Sequence, residues 1–440
     1  FIKFYSHLVR MAGRVQLAIR GVQDQWLNGD PQFSYFVTIF KKHTRFSTES
    51  VEVPLTGDIS FGKSVHCRIP NNMGDLLRNV ILKVKLGNLT DNDTEGTPAH
   101  YYFYNPPLAK NIIKYADLII GGQIIQRLTG DYINMYDQLY SNKDDIEQTM
   151  YFLNGHGNHL TVSDTYNTFY VNLPFYFFRH PSLAIPICAI TRQLVEIKIT
   201  FKDVHEDITF KYTIENEGVV RREKTMDGSI INASLIPDFY FITDEERRFL
   251  LTQPMEYVIT QLQKSTISFK PNDITKSALL KFKNPVKELL MVAKESTDPI
   301  EGEVHDLLLD TESNDQAFST TVIGTGSKYK RSDHRLIKNV KFTCNGSTVF
   351  SKSGTELSYH NSLKTHIGCP DPAYEFYVHS FSLYPEKYYS TGQLNMSRIV
   401  HKHINIEMED VSSTRNTKVD IYATNFNVLS IRSGLVGLKF

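Results

Sequence analysis

The sequence predicts an all-β protein made of two consecutive sandwich-like blocks, and three observations predict it. Short runs of alternating apolar and polar residues recur at regular spacing, separated by turn-forming residues. Tyr (24) and Phe (27) are plentiful against a single Trp, and aromatic enrichment favours strands. The 440 residues suit two domains of roughly 200 each, and a 41% hydrophobic content is enough to fill their cores.

Residues 1–30 are expected to form an N-terminal extension and arm, with Met11 a candidate natural start. A polar Asn28-Gly29-Asp30-Pro31 turn then leads into an amphipathic run. Phe33, Phe36, Val37 and Phe40 fall at i, i+3, i+4 and i+7, one face of a short helix. Lys41, Lys42 and Arg45 crowd its exit, where cations suit a helix C-terminus. Three readings compete for this run: a nucleic-acid arm, a membrane-surface helix, and a structural foot beneath a β domain.

The first block is drawn at 31–210. Its expected strands are Thr48–Leu55, Ser64–Ile69, Leu77–Leu86, Ile112–Ile120 and Leu194–Phe201. Gly121-Gly122 predicts a tight hairpin into Gln123–Arg127, and Asp131–Tyr140 has helical spacing. Charged, polar residues at 211–234 predict a linker carrying one hairpin. The second block is drawn at 235–440. Its series is expected to begin with Leu235–Ile242, followed by a helix through Leu251 behind a capping box at Thr243-Asp244-Glu245-Glu246. Further strands are expected at Tyr257–Gln263, Ala278–Phe282, Glu288–Ala293, Ile337–Cys344 and Val419–Leu429. Ser296–Arg331 reads as a long projecting loop.

Several function classes lose support. Lys plus Arg equals Asp plus Glu at 48 each, which argues against bulk attraction to DNA or an anionic bilayer but leaves local patches open. Cys67, Cys188, Cys344 and Cys369 form no CxxC pair, so a reducing compartment is expected. No signal peptide stands at the front, and the most apolar tract, Tyr170–Ile190, is broken by Arg179, His180 and prolines; a soluble chain is expected. No phosphate-cradling glycine loop or GxSxG elbow occurs, and no active site or cofactor is nominated. His401, His403 and Glu407 share one strand face and resemble half of a cupin metal site. No His follows His403, and a solvated strand face is the simpler reading. His156 and His159 read as a polar loop. Sequons stand at Asn88, Asn92, Asn232, Asn345 and Asn395 without assigning modification.

Specific residues carry a family resemblance. Gln23-Asp24, Leu27-Asn28-Gly29-Asp30-Pro31, Phe36 and Lys41–Phe46 are followed in order by Ala116–Gln123, Leu173–Arg179, Glu256–Ile259, Pro285–Leu289, Asn395–Ile399 and Tyr422–Leu429. Together these segments resemble the double jelly-roll major capsid proteins of nucleocytoplasmic large DNA viruses, of the chlorella-virus type. Tyr132, Met255 and Met291 replace residues frequent in that family with other apolar or aromatic ones. The resemblance implies two consecutive eight-stranded antiparallel jelly rolls and a homotrimer presenting pseudo-hexagonal symmetry to an icosahedral shell. It also implies a virion protein assembled in the host cytoplasm, with neighbouring capsomers and minor capsid proteins as partners and a membrane nearby. No direct contact with nucleic acid is expected. Alternatives are a minor or vertex-associated paralogue, an assembly scaffold and, more remotely, a cupin-like metalloenzyme. Under this resemblance the opening run becomes a foot. Its candidate assembly residues are Phe33, Phe36, Phe40, Lys41, Lys42 and Arg45.

Overall fold

The computed structural model describes residues 30–32, 34, 36, 42–87, 100–104, 111–140, 167–203, 208–214, 220–225, 228–295, 336–360, 366, 376–409 and 416–440. The chain falls into two compact units, Phe1–Arg45 and Phe46–Phe440.

Among the described residues, the larger unit holds sixteen principal strands in two sets of eight. The first set is β1 (Phe46–Ser50), β2 (Ser64–Ile69), β3 (Leu76–Leu86), β4 (Ile113–Ile120), β5 (Gln123–Leu128), β6 (Thr168–Asn172), β7 (Val195–Phe201) and β8 (Ile230–Ile242). They form one sheet in the order β1-β8-β3-β6 and another in the order β2-β7-β4-β5, with every pairing antiparallel. First strand beside last, and alternation of consecutive strands between the sheets except at the central hairpin β4–β5, define a jelly roll. The second set is β9 (Met255–Phe269), β10 (Thr275–Leu279), β11 (Pro285–Glu295), β12 (Ile337–Cys344), β13 (Ser347–Ser353), β14 (Phe376–Ser380), β15 (Lys402–Met408) and β16 (Thr417–Arg432). It repeats the order, β9-β16-β11-β14 against β10-β15-β12-β13. The fold is all-β, a double jelly roll.

Local sequence explains the elements. In β7, Val195, Ile197, Ile199 and Phe201 point inward while the residues between them are partly exposed, the period-two pattern of a half-buried strand. Gly121 and Gly122 have φ of +59° and +81°, and Asn345 and Gly346 have +49° and +87°. Two positive φ values in succession suit a two-residue hairpin whose twist matches its strands.

The expected boundary at 234/235 is corrected. β8 runs through it and pairs with β1 on one side and β3 on the other, so Leu235–Ile242 closes the first roll and does not open the second. Polar residues and Pro237 disguise this central strand. Pro237 lies next to a register shift between Asp238 and Phe239, where the ladder is interrupted and a missing N–H is tolerated. The charged stretch before it does hold a hairpin, Thr209–Ile214 with Val220–Thr225, paired to His100–Tyr104.

Among the described residues two α-helices accompany the rolls. α1 (Gly130–Tyr140) follows β5 and is buried along nearly its whole length. α2 (Asp244–Thr252) links the rolls where a helix was expected, although the Thr243 side chain makes no cap hydrogen bond. Arg247 of α2 instead forms a two-pronged pair with the buried Asp75 at 2.8 and 3.0 Å.

The sheet β9-β16-β11-β14 is covered on both faces. Leu289, Met291, Ile421 and Ala423 point into the second roll's own core. Leu290, Val292, Tyr422, Phe376 and Val378 join the core of the first roll. The rolls therefore dock through a continuous apolar layer, and the burial of β16 runs almost unbroken along its length.

Candidate functional site: the seam between the rolls and the assembly run

α1 brings side chains of the first roll to the seam. Its spacing of Ile133, Tyr136, Leu139 and Tyr140 makes one apolar stripe, and Thr129 Oγ1 accepts the Tyr132 N–H at 3.3 Å near the helix start. Tyr132, Tyr136 and Tyr140 then line up toward the second roll, with Tyr136 and Tyr140 ring centroids 4.6 Å apart.

Against them stands a buried ionic cluster. The Tyr140 hydroxyl donates to Glu288 Oε1 at 2.6 Å, Lys287 Nζ lies 3.2 Å from that oxygen, and His366 Nε2 lies 3.1 Å from Glu288 Oε2. Lys287 Nζ and Arg179 Nη1 both donate to the carbonyl of Pro385, at 2.9 and 3.2 Å. The Arg179 guanidinium sits over the Tyr140 and Tyr136 rings at 4.7 and 5.4 Å from their centroids. A second cluster follows along the same sheet. Lys294 pairs with Asp131 and lies 3.4 Å from Asp420, which is also 2.8 Å from Lys264 and accepts from Thr266.

Burial by itself raises a carboxyl pKa, but at Glu288 the neighbouring Lys287, His366 and Tyr140 hydroxyl outweigh it and hold the carboxyl well below the usual range. Burial, reinforced by Arg179, pushes Lys287 down to about 7 against the pull of Glu288. Burial raises Asp137 of α1 to about 8. Glu288 is thus an ionised acid with partners on both oxygens, set between two rolls. Such an arrangement fixes geometry, because removing one partner leaves an uncompensated buried charge.

Lys287 and Glu288 fall within the Pro285–Leu289 segment that carries the family resemblance, but their role at the seam does not show in the sequence. The available signal was a charged pair placed at the head of an apolar run, Leu289–Ala293, that reads as a buried strand.

The expected assembly residues lie in the smaller unit. Phe33, Phe40 and Lys41 fall outside the described residues, as does the Ser296–Arg331 loop. Phe36 is 97% exposed, and Lys42 and Arg45 are exposed. His401 and His403 face outward with stacked rings 6.5 Å apart, and Glu407 pairs with Lys338 at 2.9 Å. Among the described residues no three His, Cys, Asp or Glu side chains come together as a metal site. No described helix is long and apolar enough to cross a membrane.

Two jelly rolls of one strand order, locked by buried charge at their seam, define a structural β protein of the double jelly-roll class. Residues 34–242 match the family model described as major capsid protein N-terminus, and residues 246–437 match that of the large eukaryotic DNA virus major capsid protein. The chain belongs to this family of major capsid proteins, and its role is structural, not enzymatic. It is 28% identical to the major capsid protein of Pyramimonas orientalis virus, covering 97% of this chain and 99% of that one. It is 27% identical to the major capsid protein of Paramecium bursaria Chlorella virus 1, covering 98% and 100%. The fold is similar to a chain in the quasi-atomic model of the PBCV-1 virus capsid, with a TM-score of 0.71 at 21% identity over 92% of this chain and 100% of that one. It is also similar to the Faustovirus major capsid protein, with a TM-score of 0.65 at 12% identity over 96% and 97%.

Proposed function

We propose that the chain is the subunit of a homotrimeric, pseudo-hexagonal capsomer that tiles an icosahedral shell. The observation that carries this reading is the repeated strand order of two rolls held at one seam. Three such chains supply six similar sandwiches around a threefold axis, which suits a hexagonal lattice without six separate chains. Its partners are neighbouring capsomers and minor capsid proteins, with a viral membrane beneath the shell and assembly in the host cytoplasm. The arm and the run containing Phe33, Phe36, Phe40, Lys41, Lys42 and Arg45 act as an assembly foot.

Native mass spectrometry tests the capsomer directly. The expected species is about 150 kDa, three chains of 50.5 kDa, and a stable monomer at assembly concentration counts decisively against it. Deletion of residues 11–30 is expected to impair lattice assembly while leaving the trimer folded. A trimer that unfolds instead makes the arm part of the core.

A further inference from the structure

One end of the second roll has an unusual surface. The turn from β10 to β11, the β12–β13 hairpin and the β14–β15 connection meet there. Asn284 N–H donates to Ser397 Oγ at 2.8 Å, and the N–H groups of Leu280 and Asn345 donate to the carbonyls of Lys402 and His401, each at 2.8 Å. Lys281, Lys283, Lys387 and Arg398 are all exposed on these segments, and none has an ion-pair partner among the described residues. Over 279–284, 344–347 and 381–401 the only acid is Glu386, half-buried. Glu256, at the start of β9, is already paired with Arg432 and Lys439 at 2.8 and 2.7 Å. Within this basic field Leu383 is 73% and Val400 74% exposed, accompanied by exposed Tyr384 and Tyr389.

The β14–β15 connection is held from behind. Arg179 and Lys287 fix the Pro385 carbonyl, Tyr388 stacks on His180 with centroids 4.1 Å apart, and Thr391 Oγ1 bridges the N–H and carbonyl of Tyr384 at 3.0 Å each. The outward side chains are therefore presented by an ordered loop.

We propose that this end of the second roll docks on an anionic lipid surface. The inference deepens the membrane partner named above by assigning residues to it. Projecting aliphatic tips, a tyrosine collar and flanking cations match the three layers of a bilayer interface: acyl boundary, headgroups and anionic surface charge. A nucleic acid uses the cations and rings but gains nothing from Leu383 and Val400, so lipid fits more of the surface.

Flotation of the purified full chain with phosphatidylserine–phosphatidylcholine vesicles tests the proposal. The protein is expected to float with them at low salt and not with phosphatidylcholine alone. Lys281→Glu/Lys283→Glu/Arg398→Glu is expected to lower the bound fraction by at least about tenfold. Leu383→Ser/Val400→Ser is expected to weaken binding by about tenfold, while Lys85→Glu on β3 leaves it unchanged. Absence of flotation overturns the proposal. So does binding that persists in the aliphatic variant and is competed away by duplex DNA, which makes the surface a polyanion site. Native mass spectrometry of the same variants separates the two readings, because a trimer that persists while flotation is lost leaves the capsomer intact.

Discussion

The two rolls share a strand order but not a division of labour. In the first, the sheet β1-β8-β3-β6 is apolar inside and polar outside: Leu82 and Val84 are buried while Lys83 reaches Glu52 at 3.0 Å on the outer face. In the second, the corresponding sheet is apolar on both faces, since its outer side is the docking surface. Topology is thus set by which strands pair, whereas burial is set by what each sheet meets. A strand with one wet face alternates, and a strand with none reads as a continuous apolar run.

That difference can be broken most sharply at the buried pair. Glu288→Ala is expected to destabilise the protein by about 3–5 kcal/mol in urea unfolding, because inside the seam Lys287 loses its counter-charge and His366 loses its hydrogen-bond partner. A near-neutral result means the cluster is wetter than its burial indicates.

The second test compares faces. Leu289→Ala and Leu290→Ala, on opposite sides of β11, are each expected to cost about 2–5 kcal/mol. In the first roll Leu82→Ala should cost as much, but Lys83→Ala, which breaks only a solvent-exposed ion pair, far less. If Leu290→Ala behaves like Lys83→Ala in denaturant titrations, the rolls are not docked through that face.

A third test uses pH. Burial, with Lys352 nearby, lowers His379 of β14 from its ordinary value to about 4, and its ring stacks on Phe350 at 3.9 Å. Between about pH 6.5 and 4 the unfolded chain binds a proton there that the folded one does not, so stability falls as pH drops through that window. The contribution is about 3 kcal/mol, and His379→Phe should flatten that part of the stability–pH curve. An unchanged slope removes His379 as the cause.

The smallest effect belongs to the exposed pair Arg68–Glu196 of the first roll, 3.4 Å apart. Arg68→Ala should shift stability by no more than about 0.5 kcal/mol. A larger loss by thermal unfolding places this pair in a contact made by the assembled protein.

Strand existence was legible wherever one face is wet. Ser64–Ile69 and Ile337–Cys344 appear at the expected residues, and Gly121-Gly122 makes the expected hairpin. The boundary between rolls was not legible. β8 owes its place to pairing with β1 nearly two hundred residues upstream, and its own polar residues and Pro237 point the other way. β13 and β14 were missed because Ser347–Ser353 is mostly polar and exposed and Phe376–Ser380 is short. The seam was hidden for a different reason. Lys287 and Glu288 read as surface charge unless it is known that a second roll covers them.

Each roll is closed by its first strand against its last, Phe46 beside Ile242 and Met255 beside Ile431. A ribosome delivers these partners far apart in time. Once β8 emerges, the first roll can shut while its docking face waits for β16, about 190 residues later. At roughly 5–20 residues per second that wait is on the order of 10–40 s. During synthesis the nascent chain therefore carries an uncovered apolar flank, which makes the half-made protein more dependent on chaperones than the finished one.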